Sequence, residues 1–239
     1  MPNRIPSRIR AVFAASVLLS CAVVSDASAQ ADAVPGPNHR VGALFSHDLR
    51  GGHFCTASVV HSQGRDLIVT AGHCLAEGAD VAFAPGYHEG EAPYGMWQVD
   101  RVFADAAWTG SADEEHDLAF ATVRARDGRR IEDVTGAVTL DPRGRTGHPV
   151  TLTGYPSAED AARTCTATPA LFRGSQQRVA CPDFSTGTSG SPWVTADGRL
   201  TGVLGGYQEG GDTADVSYSV LLDERAAALY RTATGGTTG

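Results

Sequence analysis

Lysine is missing altogether: all 19 basic residues of this 239-residue chain are arginine, set against 27 acids, and the formal charge is −8. A chain this acidic carries no basic surface with which to neutralise phosphates, which argues against nucleic acid or anionic membranes as partners. Long apolar runs are scarce too. Beyond Val24 no segment is long and apolar enough to span a bilayer. Cysteine is limited to five residues, and no grouping of His, Cys and acids has the spacing of a zinc site. No zinc site is therefore expected. No internal repeat is visible.

The N-terminus is of a different kind. Arg4, Arg8 and Arg10 precede an apolar stretch from Ala11 to Val24, followed by the small-residue pattern Ala27-Ser28-Ala29. That is the layout of a secretory signal, so residues 1–29 are expected to be removed and the protein to be secreted and extracellular. Losing three arginines and one acid takes the formal charge from −8 to −10. A rival reading takes Leu18-Leu19-Ser20-Cys21 as a lipoprotein box with Cys21 lipidated, which would place the protein on a membrane; the bulky Leu19 counts against it. Without Cys21 an even set remains, Cys55, Cys74, Cys165 and Cys181, which implies two disulfides in an oxidising compartment.

The mature chain is long enough for a sizeable core. Residues 30–40 are an Ala/Pro/Gly-rich leader or short pro-segment. Short β-type runs then recur between Gly, Pro, Asp and Asn clusters: Phe54 to Val60, Leu67 to Thr70, Val81 to Phe83, Trp97 to Phe103, Leu118 to Val123, Val150 to Leu152, Leu200 to Leu204 and Val216 to Leu222. Such spacing predicts an all-β sandwich or barrel. The charged, Gly- and Pro-bearing stretch 124–149 is the expected crossing between two halves. Only residues 223–231 read as helix, and 232–239 as a disordered tail.

Three separated patches carry the chemistry: Thr70-Ala71-Gly72-His73-Cys74, Asp117-Leu118-Ala119-Phe120 and Gly187-Thr188-Ser189-Gly190-Ser191-Pro192. His73 follows a strand-like run, where a side chain reaches a cleft while the scaffold stays rigid. Asp117 opens an apolar run, and an ionised carboxylate there needs a hydrogen-bonding partner, which an imidazole N–H supplies. Glycines on either side of Ser189 let the backbone turn tightly and bring amide N–H groups near a substrate carbonyl. Singly, each patch is an ordinary composition. Together they offer the base, acid and hydroxyl that acyl transfer requires. His39, His47, His53, His61, His88, His116 and His148 are read as surface or strand-end residues. His116, beside Asp117, would point to the opposite face of a strand.

These motifs resemble the trypsin-like (chymotrypsin-fold) serine peptidases, and more closely their short bacterial secreted branch. The resemblance runs from about Val41-Gly42-Ala43-Leu44-Phe45 to Tyr218-Ser219-Val220. It implies two antiparallel six-stranded β-barrels with a C-terminal helix, the peptidase domain spanning residues 41–231, with the first barrel at about 41–125 and the second at about 146–222. His73 then takes the role of general base, Asp117 that of orienting acid and Ser189 that of nucleophile. The N–H groups of Gly187 and Ser189 would form the oxyanion hole. Ser191 falls at the motif's variable position, which disfavours it as nucleophile. The resemblance pairs Cys55 with Cys74, leaving Cys165 with Cys181, and it implies a monomer acting on polypeptides without a cofactor. Asp183 falls, counted without gaps, where an acid selects Arg or Lys; as a loop acid after Pro182 it would instead leave an apolar slot. Gly205, Gly206 and Tyr207 resemble the segment that binds substrate backbone. Leu204 stands where glutamate-specific relatives carry histidine. Thr188 replaces the acid that receives a new N-terminus on activation, so Arg40-Val41-Gly42 lacks an acceptor for an activation cut. A binding protein on the same scaffold, or an esterase-like serine hydrolase, is the alternative; the chain order of the three residues is not that of an α/β-hydrolase.

Overall fold

The structure is a computed structural model that describes residues 38–75 and 80–235; the expected signal segment, the leader before Asn38 and the tail after Gly235 lie outside it. Six strands build a closed antiparallel barrel in the order β1-β2-β3-β6-β5-β4. They are β1 Val41–Ser46, β2 His53–Val59, β3 Leu67–Thr70, β4 Val81–Pro85, β5 Trp97–Ala104 and β6 Ala119–Val123. Closure comes from β1, which pairs with β2 on one side and β4 on the other.

Alternation of side chains explains why β3 and β6 are apolar at nearly every position. Ile68, Ala119, Ala121 and Val123 fill the barrel interior with Leu44, Phe83 and Trp97. Their neighbours Leu67, Val69, Leu118 and Phe120 face outward, against Leu200, Val203 and Val220 of the second half. Both faces of these strands are buried, so neither can be polar.

The second half holds two sheets. Strands β7 Thr139–Leu140, β8 Val150–Gly154, β9 Arg163–Ala167, β12 Pro192–Thr195 and β13 Arg199–Val203 form one, in the order β7-β13-β12-β8-β9. The other is β10-β11-β14, from Ala170–Phe172, Gln176–Ala180 and Val216–Val220. An isolated bridge between Leu204 and Ser219 joins them. The all-β architecture with a C-terminal helix is thus as expected.

Several local details differ from the sequence reading. The crossing 124–149 is partly ordered into secondary structure: α2 (Ile131–Thr135) plugs the first barrel with Ile131, and β7 pairs in parallel with β13. Asp141, buried where this segment enters the second half, accepts from Arg143 Nε at 2.6 Å and Arg145 Nη2 at 2.7 Å. The Arg143 hydrogen bond, then that of Arg145, outweighs burial and holds its carboxyl well below the usual range. A further helix, α1 (Ala106–Ser111), starts where Asp105 Oδ1 caps the Ala107 N–H at 2.8 Å and buries Trp108. The C-terminal helix α3 is Glu224–Ala233, starting one residue later and ending two residues later than read, because Ala233 buries against the second core. Strands β9 to β11 escaped the sequence reading: β9 is largely polar and exposed, β10 is only three residues long, and β11 opens with two buried glutamines. His53 does open β2, yet it is buried: Phe45, Tyr87 and Tyr155 pack edge-on around its ring.

Candidate active site

His73 sits on a 3₁₀ turn, Gly72–Leu75, directly after β3. The next residue, Cys74, is bonded to Cys55 of β2, and Cys165 is bonded to Cys181, the two disulfides expected. Trp108 of α1 backs the turn. Its ring lies 6.3 Å from that of His73, and a Cβ on Gly72 would come within 2.8 Å of it, so glycine is required there. His73 and the two cysteines cluster within 4.8 Å, but both sulfurs are consumed in the disulfide and offer no thiolate to a metal.

Asp117 ends the turn that precedes β6 and is fully buried. Three N–H groups satisfy it. His73 donates its backbone N–H to Oδ1 and its Nδ1–H to Oδ2, both at 2.9 Å, and Gly206 donates its N–H to Oδ2 at 2.7 Å. An ionised carboxylate only accepts, so Nδ1 carries the proton and Nε2 of the neutral ring is left with a free lone pair. Burial is the strongest single effect on the His73 ring and disfavours its charge. The hydrogen bond and charge of Asp117, with the charge of Glu209, together outweigh it and raise its pKa above 6.5.

Ser189 lies on a tight turn between Gly187 (φ 96°) and Gly190 (φ 87°), both in the left-handed region. A Cβ on Gly190 would stand 1.9 Å from the Thr56 carbonyl oxygen. Among the described residues neither the Gly187 nor the Ser189 N–H bonds to the protein. Both residues line, with His73, a cleft of about 540 Å³. The Ser189 hydroxyl has Glu209 O at 3.5 Å and makes no hydrogen bond to His73 in this rotamer. Thr188 is buried and donates its hydroxyl to Ser185 O at 2.7 Å. Ser191 is also buried, its hydroxyl committed to Thr188 O at 2.6 Å, so it is not available as a nucleophile.

None of the expected substrate-binding residues, Asp183, Gly205, Gly206 and Tyr207, is among those lining this cleft. Asp183 is an exposed turn residue with φ 65°, outside the cleft lining. Gly205 and Gly206 lie behind the cleft, against Asp117: a Cβ on Gly205 would come 2.8 Å from Asp117 Oδ2. Tyr207 turns away too. Its N–H donates to Gln176 Oε1 at 2.8 Å, and its ring packs with Phe172 and Tyr218 under the Arg173 guanidinium. The cleft is walled instead by Phe54, Phe184, Leu204 and Ala214, with Glu209 and Asp212 exposed at its edge. Phe54, Trp108, Gln176 and Glu209 were not legible as site residues. Only the Asp105 cap gave α1 a sequence signal.

A model of the trypsin-like peptidase domain matches residues 55–203, a span that contains His73, Asp117 and Ser189. No curated protein sequence matches the chain. Among solved structures, the protease Anisep from Arthrobacter nicotinovorans is similar at 26% identity and a TM-score of 0.73, covering 84% of this chain and 97% of its own. The thermostable serine protease AL20 from an extremophilic microorganism is similar at 26% identity and a TM-score of 0.73, covering 85% and 100%. A Glu endopeptidase shares the fold at 15% identity and a TM-score of 0.68, covering 83% and 92%. With more than half of its length matched by the family model, and chymotrypsin-fold proteases as its structural neighbours, the chain belongs to the trypsin-like serine peptidase family.

Proposed function

We propose that the protein is an exported serine endopeptidase that cleaves peptide bonds through Ser189, His73 and Asp117. The observation that carries this reading is the buried Asp117–His73 pair opening, with Ser189 and two unpaired amides, on one cleft. His73 Nε2 would accept the Ser189 proton as Oγ attacks the carbonyl carbon, then return it to the leaving amine. Asp117 stabilises the imidazolium formed between those steps, and the Gly187 and Ser189 N–H groups receive the oxyanion. Water then hydrolyses the acyl-enzyme by the same route. Two disulfides and the arginine-then-apolar N-terminus support export. The test is a biotinylated fluorophosphonate applied to culture medium. Labelling at Ser189, on a protein starting at Gln30, is expected; no adduct at Ser189 overturns the reading.

The rate should depend on His73 in a definite direction. Only the neutral ring acts as base, so kcat/KM rises with pH, and the raised pKa places the midpoint above 6.5. The same shift means protonated His73 favours the folded state, a contribution complete below its unfolded pKa and lost as pH rises through the folded one. A kcat/KM profile flat between about pH 5 and 8 would remove His73 from the mechanism.

Specificity follows from which contact is worth more. Burying an apolar side chain against Phe184, Leu204 and Ala214 contributes about 1.5–3 kcal/mol. An ion pair with exposed Glu209 or Asp212 contributes about 0–1 kcal/mol. Peptides with Leu or Phe before the scissile bond should therefore be cut about tenfold faster, in kcat/KM, than those with Arg. Preference for Arg in a peptide library would reverse this assignment.

A further inference from the structure

The amides of Gly187 and Ser189 point where they do because other groups hold the carbonyls of the same peptide units. In a trans peptide the C=O and N–H point in opposite directions, and no cis bond occurs among the described residues. Thr186 O accepts the Ser157 N–H at 2.8 Å, which turns the Gly187 N–H toward the cleft. Thr188 O accepts the Ser191 hydroxyl at 2.6 Å and the Ser191 N–H at 3.0 Å, which does the same for the Ser189 N–H. The first barrel supplies the remaining hold. Thr56 of β2 donates its hydroxyl to Gly187 O at 3.0 Å and its N–H to Ser189 O at 2.7 Å, while its Oγ1 accepts the Tyr155 N–H at 2.9 Å. Thr56 and Ser191 are both fully buried, so no water replaces these bonds.

We propose that the buried hydroxyls of Thr56 and Ser191 are positioning groups, which fix the 187–189 turn in the one setting where its two amides converge on a reacting carbonyl oxygen. The proposal rests on the serine peptidase reading above. Neither side chain touches substrate. Thr56 also ties together the two halves of the molecule, since it joins the barrel to both the nucleophile turn and the Tyr155 segment. A left-handed turn rich in glycine has other backbone settings open to it, and these two hydroxyls remove them.

Thr56→Val keeps the shape and deletes the hydroxyl. It should lower kcat by about tenfold, short of the 10²–10³ that follows deletion of an oxyanion donor, and leave KM within about twofold. Thr56→Ser, which restores the hydroxyl, should restore kcat. Ser191→Ala should lower kcat by a smaller factor, about fivefold, because the Ser191 N–H still holds Thr188 O. The Ki of a peptide boronate, whose tetrahedral adduct places an oxygen at the same amides, should rise in step with the loss in kcat. A lowered melting temperature with unchanged kcat, or a raised KM with unchanged kcat, would make these residues merely structural and overturn the proposal. If Thr56→Val does not fold, the kcat of Ser191→Ala decides. Wild-type protein that cuts no peptide overturns the peptidase reading and this proposal with it; active wild type with both variants at wild-type kcat overturns the positioning role alone.

Discussion

Ser189→Ala is expected to abolish turnover, lowering kcat by about 10⁶ to the residual level that binding and the oxyanion amides supply by themselves. The hydroxyl is the only atom lost. Among the described residues its one hydrogen bond is a marginal one to Glu209 O at 3.5 Å, so the fold should keep its melting temperature. Gly187 and Gly190 set the turn's backbone, and neither depends on the serine side chain. Steady-state peptide hydrolysis and fluorophosphonate labelling read the effect independently. Ser191→Ala is the matched comparison, since Ser191 is buried with its hydroxyl committed and should still allow labelling of Ser189. Labelling that persists in Ser189→Ala would move the nucleophile elsewhere.

Asp117→Asn should cost about 10⁴ in kcat, through the tautomer of His73 rather than through shape. Three N–H groups converge on the two oxygens of Asp117, two from His73 and one from Gly206. An amide offers one oxygen and one NH₂ in the same space. The NH₂ must then face a donor, or else His73 must present its bare Nδ1 and hold the proton on Nε2, where it can no longer accept from Ser189. Because the site is fully buried, the leftover donor costs a further 1–3 kcal/mol or about that in stability. Stopped-flow acylation of the variant checks this. A kcat within tenfold of wild type would show that Asp117 does not set the imidazole tautomer.

The residues proposed for the reaction were legible in the sequence because each carries a local signal: an apolar run ending at His73, an acid opening another at Asp117, glycines around Ser189. The fold class was legible for the same reason, since alternation and turn residues mark strands locally. The disulfide pairing came through family resemblance, and the expectation of export through the layout of residues 1–29. What the sequence did not display was the placement that the return of distant segments decides. Asp183, counted along the chain, falls at a pocket position, but the turn after Cys181 swings its side chain to solvent with φ 65°. Gly205 and Gly206 read as a substrate-binding edge, whereas the close approach of Asp117, from the turn before β6, puts them behind the site. Thr56 had no signal at all, because a threonine in a strand looks like any other until Gly187, Ser189 and Tyr155 are folded onto it. Backbone preference and burial pattern act within a few residues and are written in the sequence, while the hold of Thr56 on the nucleophile turn is a hydrogen bond between residues 131 positions apart.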